Sequence, residues 1–91
     1  MKVLFHKKAQ KFLEKLNDKE KEKIRIKIKE LAQSIENNGL IPYQEIDVKN
    51  LFGEWADYLR LRVGEIRIIF SYDKNDECLF VADMNYRGNI Y

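Results

Sequence analysis

A chain of 91 residues, 45% of them apolar or aromatic, can build one domain with a modest core and leaves no room for a second, so residues 1–91 are expected to fold as a unit. One cysteine (Cys78) and one histidine (His6) exclude an internal disulfide framework and a zinc site of the usual Cys/His kind, so no metal and no cofactor is expected. No apolar run approaches the ~20 residues of a membrane span, and Met-Lys-Val-Leu-Phe-His at the amino terminus lacks the apolar length of a secretory signal, which predicts a cytoplasmic protein with no membrane partner.

The net charge of +2 hides a division. Residues 1–50 carry 12 Lys/Arg against 8 Asp/Glu, whereas residues 51–91 carry 5 against 7. Any cationic patch in the second part is therefore a local feature.

In chain order, residues 2–6 form a short strand candidate. Ala9, Phe12, Leu13 and Leu16 then follow at helical spacing, predicting a first helix over about residues 7–16. Asn17 suits an N-cap with Glu20 three places on, and Ile24, Ile28, Leu31 and Ile35 keep one apolar stripe as far as Asn38-Gly39. The Lys/Glu-rich run 19–29 is the solvated side of that helix. Its functional alternative is contact with the phosphates of a polyanion. Gly39 and Pro42 end the helical hairpin, and residues 43–54 read as a loop with a short extended piece at 46–48, where Phe52 and Trp55 are expected to plug the core.

Three strands follow, over about residues 56–63, 65–73 and 78–86. The first two are joined tightly at Gly64 and the last two by Lys74-Asn75-Asp76-Glu77. The order β-α-α-β-β-β predicts an α+β fold, a mainly antiparallel sheet with the helical hairpin packed on the face that Leu59, Leu61, Ile66, Ile68 and Phe70 supply. Strand alternation puts Tyr58, Arg60 and Arg62 on the other face, expected to be open. Arg60, Arg62 and Arg67 are three of the five arginines in the chain. Their concentration on rigid strands suits planar, multi-donor contact with phosphate, although Arg60 and Arg62 could also be surface residues pairing with Asp57, Glu65 or Asp83.

The order of elements, the hairpin Leu-Arg-Leu-Arg-Val-Gly-Glu-Ile-Arg-Ile-Ile-Phe (59–70) and the closing Asn-Tyr-Arg-Gly-Asn-Ile-Tyr (85–91) resemble the RelE/ParE toxin superfamily over nearly the whole chain. For RelE-like members the resemblance implies an endoribonuclease that cleaves messenger RNA in the ribosomal A site. For ParE-like members it implies a non-catalytic inhibitor of DNA gyrase. Both kinds are held by an antitoxin, so a RelB-like partner in a heteromeric complex is implied, together with ribosome and mRNA for the first kind. By position, the resemblance makes Arg67, Arg87 and Tyr91 catalytic: the arginines bear phosphate charge and Tyr91 stacks on a base. It makes Arg60, Arg62, Tyr58 and Tyr86 RNA-binding. Many relatives carry a histidine where this chain has Tyr86, and another basic residue where it has Tyr58. The expected activity is that of an mRNA interferase toxin, with a gyrase inhibitor or a catalytically impaired, antitoxin-binding relative as alternatives.

Overall fold

The computed structural model describes residues 1–86. Among these the chain runs β1 (Lys2–Phe5), α1 (Lys7–Glu14), α2 (Asp18–Asn38), β2 (Val48–Asn50), a 3-10 turn (Gly53–Trp55), β3 (Leu59–Val63), β4 (Ile66–Asp73) and β5 (Cys78–Tyr86). The strands form one sheet in the order β1-β5-β4-β3-β2. From β2 to β5 it is an antiparallel meander, and β1 runs parallel to β5 along the far side. This is the expected α+β domain; the extended piece expected at 46–48 lies instead at Val48–Asn50, where it forms an edge strand.

Local chemistry sets the helix ends. The His6 side chain accepts a hydrogen bond from the Lys8 N–H at 3.1 Å, so His6 caps α1 and the first strand stops at Phe5. Asn17 Oδ1 accepts from the Glu20 N–H at 2.8 Å, satisfying one of the otherwise orphaned donors of α2. At the other end Gly39 adopts φ 69° and donates its N–H to the Ile35 carbonyl at 2.7 Å. That left-handed conformation is open to glycine at little cost. On the solvent side of α2, the hydrogen bond from Arg25 holds the Glu22 carboxyl below its ordinary pKa. Both side chains are exposed, so water screens most of that attraction.

The α2 stripe Ile24, Ile28, Leu31 and Ile35 is buried against one sheet face, together with Ala9 and Leu16. Leu61, Val63, Ile66, Ile68, Phe70, Leu79, Val81 and Met84 supply that face. Each large side chain so buried stabilises the fold by about 1.5–3 kcal/mol before ordering entropy is counted.

Two departures from the expected elements shape the rest. The third strand begins at Leu59 rather than near residue 56, because Gly53 (φ 67°) opens the 3-10 turn and the Tyr58 N–H donates back to the Trp55 carbonyl at 2.9 Å. Phe52, expected in the core, heads this turn outside the strand ladder and is 86% exposed. The second departure is a bulge in β5. Ile69 pairs with Asp83 while Phe70 pairs with Val81, leaving Ala82 as the extra residue. Strict alternation from Leu79 and Val81 would drive Asp83 and Asn85 into the core. The bulge reverses the phase, so Met84 enters the core and the two polar residues move to the opposite face.

Candidate nucleic-acid interface

Cross-strand partners project to the same side of a sheet, so the register defines the face opposite the helices. Lys49 pairs with Arg60, Arg60 with Ile69, and Ile69 with Asp83. One step along, Arg62 pairs with Arg67 and Arg67 with Asn85. Four cations thus occupy three adjacent strands, and two of them, Arg62 and Arg67, stand directly opposite one another.

Asp47, just before β2, braces the group. Its Oδ1 accepts from Arg60 Nη2 at 3.1 Å, and its Oδ2 lies 3.9 Å from Arg62 Nε, attractive in sign but too long for a hydrogen bond. The Asp47 carbonyl also accepts from the Arg62 N–H at 2.9 Å, which extends the β2–β3 ladder by one step. Arg60 is only 5% exposed, so the expectation of an openly displayed arginine face is corrected at this residue. It lies on the same face as Ile69, itself fully buried, and its partner is Asp47 rather than Asp57, Glu65 or Asp83. Arg62 and Arg67 are half-buried and Lys49 is exposed. Among the described residues, Arg60 Nη1, Arg62 Nε and Asn85 Oδ1 are buried without a hydrogen-bond partner. Rigid guanidinium donors of this kind, held in a sheet, can receive a phosphate with little reorganisation.

A second surface lies on the helical side. Val3, Phe5, Leu13, Ile24, Ile28 and Ala32 line an apolar groove of about 430 Å³ between β1 and α2, bordered by Lys21, Arg25 and Lys29. Among the described residues no group of three or more His, Cys, Asp and Glu could hold a metal ion, and no helix is long and apolar enough to cross a membrane.

A family model described as the ParE toxin of the type II toxin-antitoxin system, parDE, matches residues 3–91. The chain belongs to the ParE toxin family. It is thus a toxin of a type II toxin-antitoxin system, within the RelE/ParE superfamily. Among solved structures it is similar to the archaeal RelE-RelB complex from Pyrococcus horikoshii (25% identity, 98% of this chain and 97% of that one, TM-score 0.71). It is also similar to the YoeB-YefM toxin-antitoxin complex from Staphylococcus aureus (26% identity, 96% and 97%, TM-score 0.67). The isolated RelE toxin from E. coli shares the fold at 18% identity (98% and 86%, TM-score 0.71). No curated protein gives a significant match.

Of the residues singled out from the sequence of this ParE-family toxin, the structure brings Arg60, Arg62 and Arg67 together. Tyr58 adjoins them, its ring edge-on to Trp55 with centroids 5.3 Å apart. Tyr86 does not join them: the Ala82 bulge turns it to the helical side, where its ring meets Phe12 of α1 at 5.0 Å. Arg87 and Tyr91 lie outside the described residues. Sequence reading missed Asp47 and Lys49. The signal was present in Asp47-Val48-Lys49, where a buried Val48 in extended backbone sends both neighbours to the opposite face.

Proposed function

We propose that this toxin is an endoribonuclease that cleaves messenger RNA on the ribosome and so inhibits translation. The observation carrying this reading is the directly opposed pair Arg62 and Arg67. Like charges in opposed cross-strand positions oppose folding, so a sheet that keeps them has a use for paired guanidinium groups that an anion can bridge. The similarity to RelE and YoeB toxins over nearly the full length supports the same reading.

The chemistry follows from charge. The ribose 2′-oxygen attacks the adjacent phosphorus, negative charge accumulates on the non-bridging oxygens of the phosphorane, and the 5′-oxygen departs. Arg67, with Arg87, stabilises that charge, while Arg60 and Arg62 position the backbone; removal of one such donor costs about 10²- to 10³-fold in rate. Tyr91 stacks on a base and Tyr58 contacts the RNA beside it. Tyr86 faces Phe12 on the opposite side of the sheet, so proton transfer falls to Tyr91, a lysine or the ribosome.

An antitoxin holds the toxin in check. The basic-rimmed apolar groove between β1 and α2 suits an antitoxin segment with apolar anchors and acidic flanks. The similar RelE-RelB and YoeB-YefM complexes support a partner of this class.

The ParE description of the matching family favours a second reading, inhibition of DNA gyrase without nuclease activity. Induction in cells beside Arg67→Ala, with the 5′ ends of ribosome-bound message mapped, separates the two. Cuts within translated codons that vanish in the variant establish the ribonuclease. Growth arrest without cuts assigns the toxin to gyrase.

A further inference from the structure

The row of cations has one member unlike the others. A guanidinium keeps its proton at any pH a cell reaches, so Arg60, Arg62 and Arg67 stabilise charge without giving up a proton. Lys49 differs: an ammonium carries three transferable protons at neutral pH, on a flexible four-carbon stem. It is exposed. Among the described residues it has no carboxylate partner, because Asp47, two places before it on the same face, is bonded to Arg60 at 3.1 Å and faces Arg62 at 3.9 Å.

The register also gives the open face a direction. Across the sheet from the β2 edge, Lys49 comes first, then Arg60 and Ile69, and last Asp83 on β5; in the next row Arg62 and Arg67 lead to Asn85. Acceptors therefore gather on the β5 flank, where Asp83 Oδ1 accepts from the Met84 N–H at 2.8 Å and Asn85 Oδ1 is buried without a hydrogen-bond partner. A phosphate bridged by Arg62 and Arg67 lies between the two flanks. By the spacing and rise of the strands its centre is about 10 Å from the Lys49 Cα in the plane of the sheet. The lysine stem, one hydrogen bond and one P–O bond close that span. Tyr58, which continues the same face, stands farther off, four residues of extended chain or about 13 Å from Arg62.

We propose that Lys49 is the general acid of the cleavage and gives its proton to the departing 5′-oxygen. The inference rests on the ribonuclease reading above and names a group which that reading leaves unassigned. The 2′-O–H bond breaks, its proton passing to solvent, and the O2′–P bond forms. The P–O5′ bond breaks with its electron pair going to oxygen, and that oxygen takes a proton from Nζ. The products are a 2′,3′-cyclic phosphate and a 5′-hydroxyl, and the neutral amine recovers its proton from water. Attacking and leaving oxygens lie in line, so a 5′-oxygen on the β2 flank brings the 2′-hydroxyl in from the β5 flank, where the acceptors stand.

The test replaces the leaving atom. Sulfur departs as a thiolate, the anion of an acid with a pKa of about 8.5, and needs no proton, whereas an alkoxide does. Wild type, Lys49→Ala, Lys49→Arg and Arg67→Ala, each shown folded by a thermal melt, are assayed in single turnover on two ribosome-bound messages. The messages differ only in the bridging 5′ atom at a mapped cleavage position, oxygen or sulfur. Lys49→Ala is expected to cut the oxygen message about 10²- to 10⁴-fold more slowly than wild type and the sulfur message at close to the wild-type rate. Lys49→Arg keeps the charge without a transferable proton and should be as slow on oxygen as Lys49→Ala. Arg67→Ala should be slow on both. Equal slowing of Lys49→Ala on the two messages makes Lys49 a phosphate contact and overturns the proposal. Full activity of Lys49→Ala on oxygen overturns it too, since a lysine that only keeps the sheet edge from pairing behaves in that way. In both cases the ribonuclease reading stands. If wild type cuts neither message, that reading and the general acid fall together.

Discussion

Asp47 and Arg60, thirteen positions apart, form the ion pair that ties edge strand β2 to the cationic face: Oδ1 accepts from Nη2 at 3.1 Å, with the arginine side chain 7% exposed and the aspartate 46% exposed. The asymmetry matters. The arginine pays most of the desolvation, and a half-solvated carboxylate compensates it while its other oxygen faces Arg62 at 3.9 Å.

Replacing Asp47 with Asn keeps the shape of the side chain and removes the charge, leaving the Arg60 cation buried with a neutral acceptor. A loss of about 1–3 kcal/mol is expected in urea unfolding, reduced from the fully buried case because Asp47 is partly in water. Arg60→Met, alone and with Asp47→Asn, completes a double-mutant cycle. The double variant should recover part of the loss, since an apolar side chain in that place leaves no uncompensated charge.

Arg62 and Arg67 are expected to matter more for activity than for stability. Arg62→Ala removes one member of a like-charged cross-strand pair together with its 3.9 Å attraction to Asp47, so the melting temperature should change little. Message cleavage on the ribosome should fall about 10²- to 10³-fold. Arg67→Lys should restore little, because a point charge replaces a planar, multi-donor fork. A variant as active as the parent would remove Arg67 from the catalytic group.

The groove between β1 and α2 makes a prediction independent of the arginines. Ala32 lines it one turn from Ile28, and a glutamate there sets a charge among apolar anchors while the buried stripe Ile24, Ile28, Leu31 and Ile35 keeps its own side chains. Ala32→Glu should weaken antitoxin capture in a pull-down by about tenfold or more while growth arrest persists. Unchanged capture would move the antitoxin to another surface.

What could be read from the sequence was what depends on near neighbours. The α2 stripe, the Asn17 cap with Glu20 and the Gly39 stop are all settled within four residues along the chain, so the spacing carries them. The Gly64 hairpin is equally local. The rest depended on pairings across the sheet. Strand β2 has only three residues and exists because Val48 pairs with Leu61, and Asp47 meets Arg60 only through that pairing. Nothing in Val81-Ala82-Asp83-Met84 announces a bulge, yet it decides that Asp83 and Asn85 face the arginines and that Tyr86 faces Phe12. Hydrophobicity alone points Phe52 to the core, whereas the 3-10 turn it heads leaves it 86% exposed.

Ile69 tests whether the cationic face depends on packing beneath it. It is fully buried, lies outside the helix-facing cluster, and has Arg60 and Asp83 as its cross-strand partners. An aliphatic residue in that place gives the methylene stem of Arg60 something to lie on, so that the guanidinium is held by contact as well as by Asp47. Ile69→Val removes one methylene and should cost about 0.5–1.5 kcal/mol; Ile69→Ala should cost about 2–4 kcal/mol. If Arg60 is positioned from below, Ile69→Val should also weaken binding of an abasic sugar-phosphate oligomer by more than its small stability loss explains, at a temperature where the protein is fully folded. If the affinity is unchanged, Asp47 alone positions Arg60.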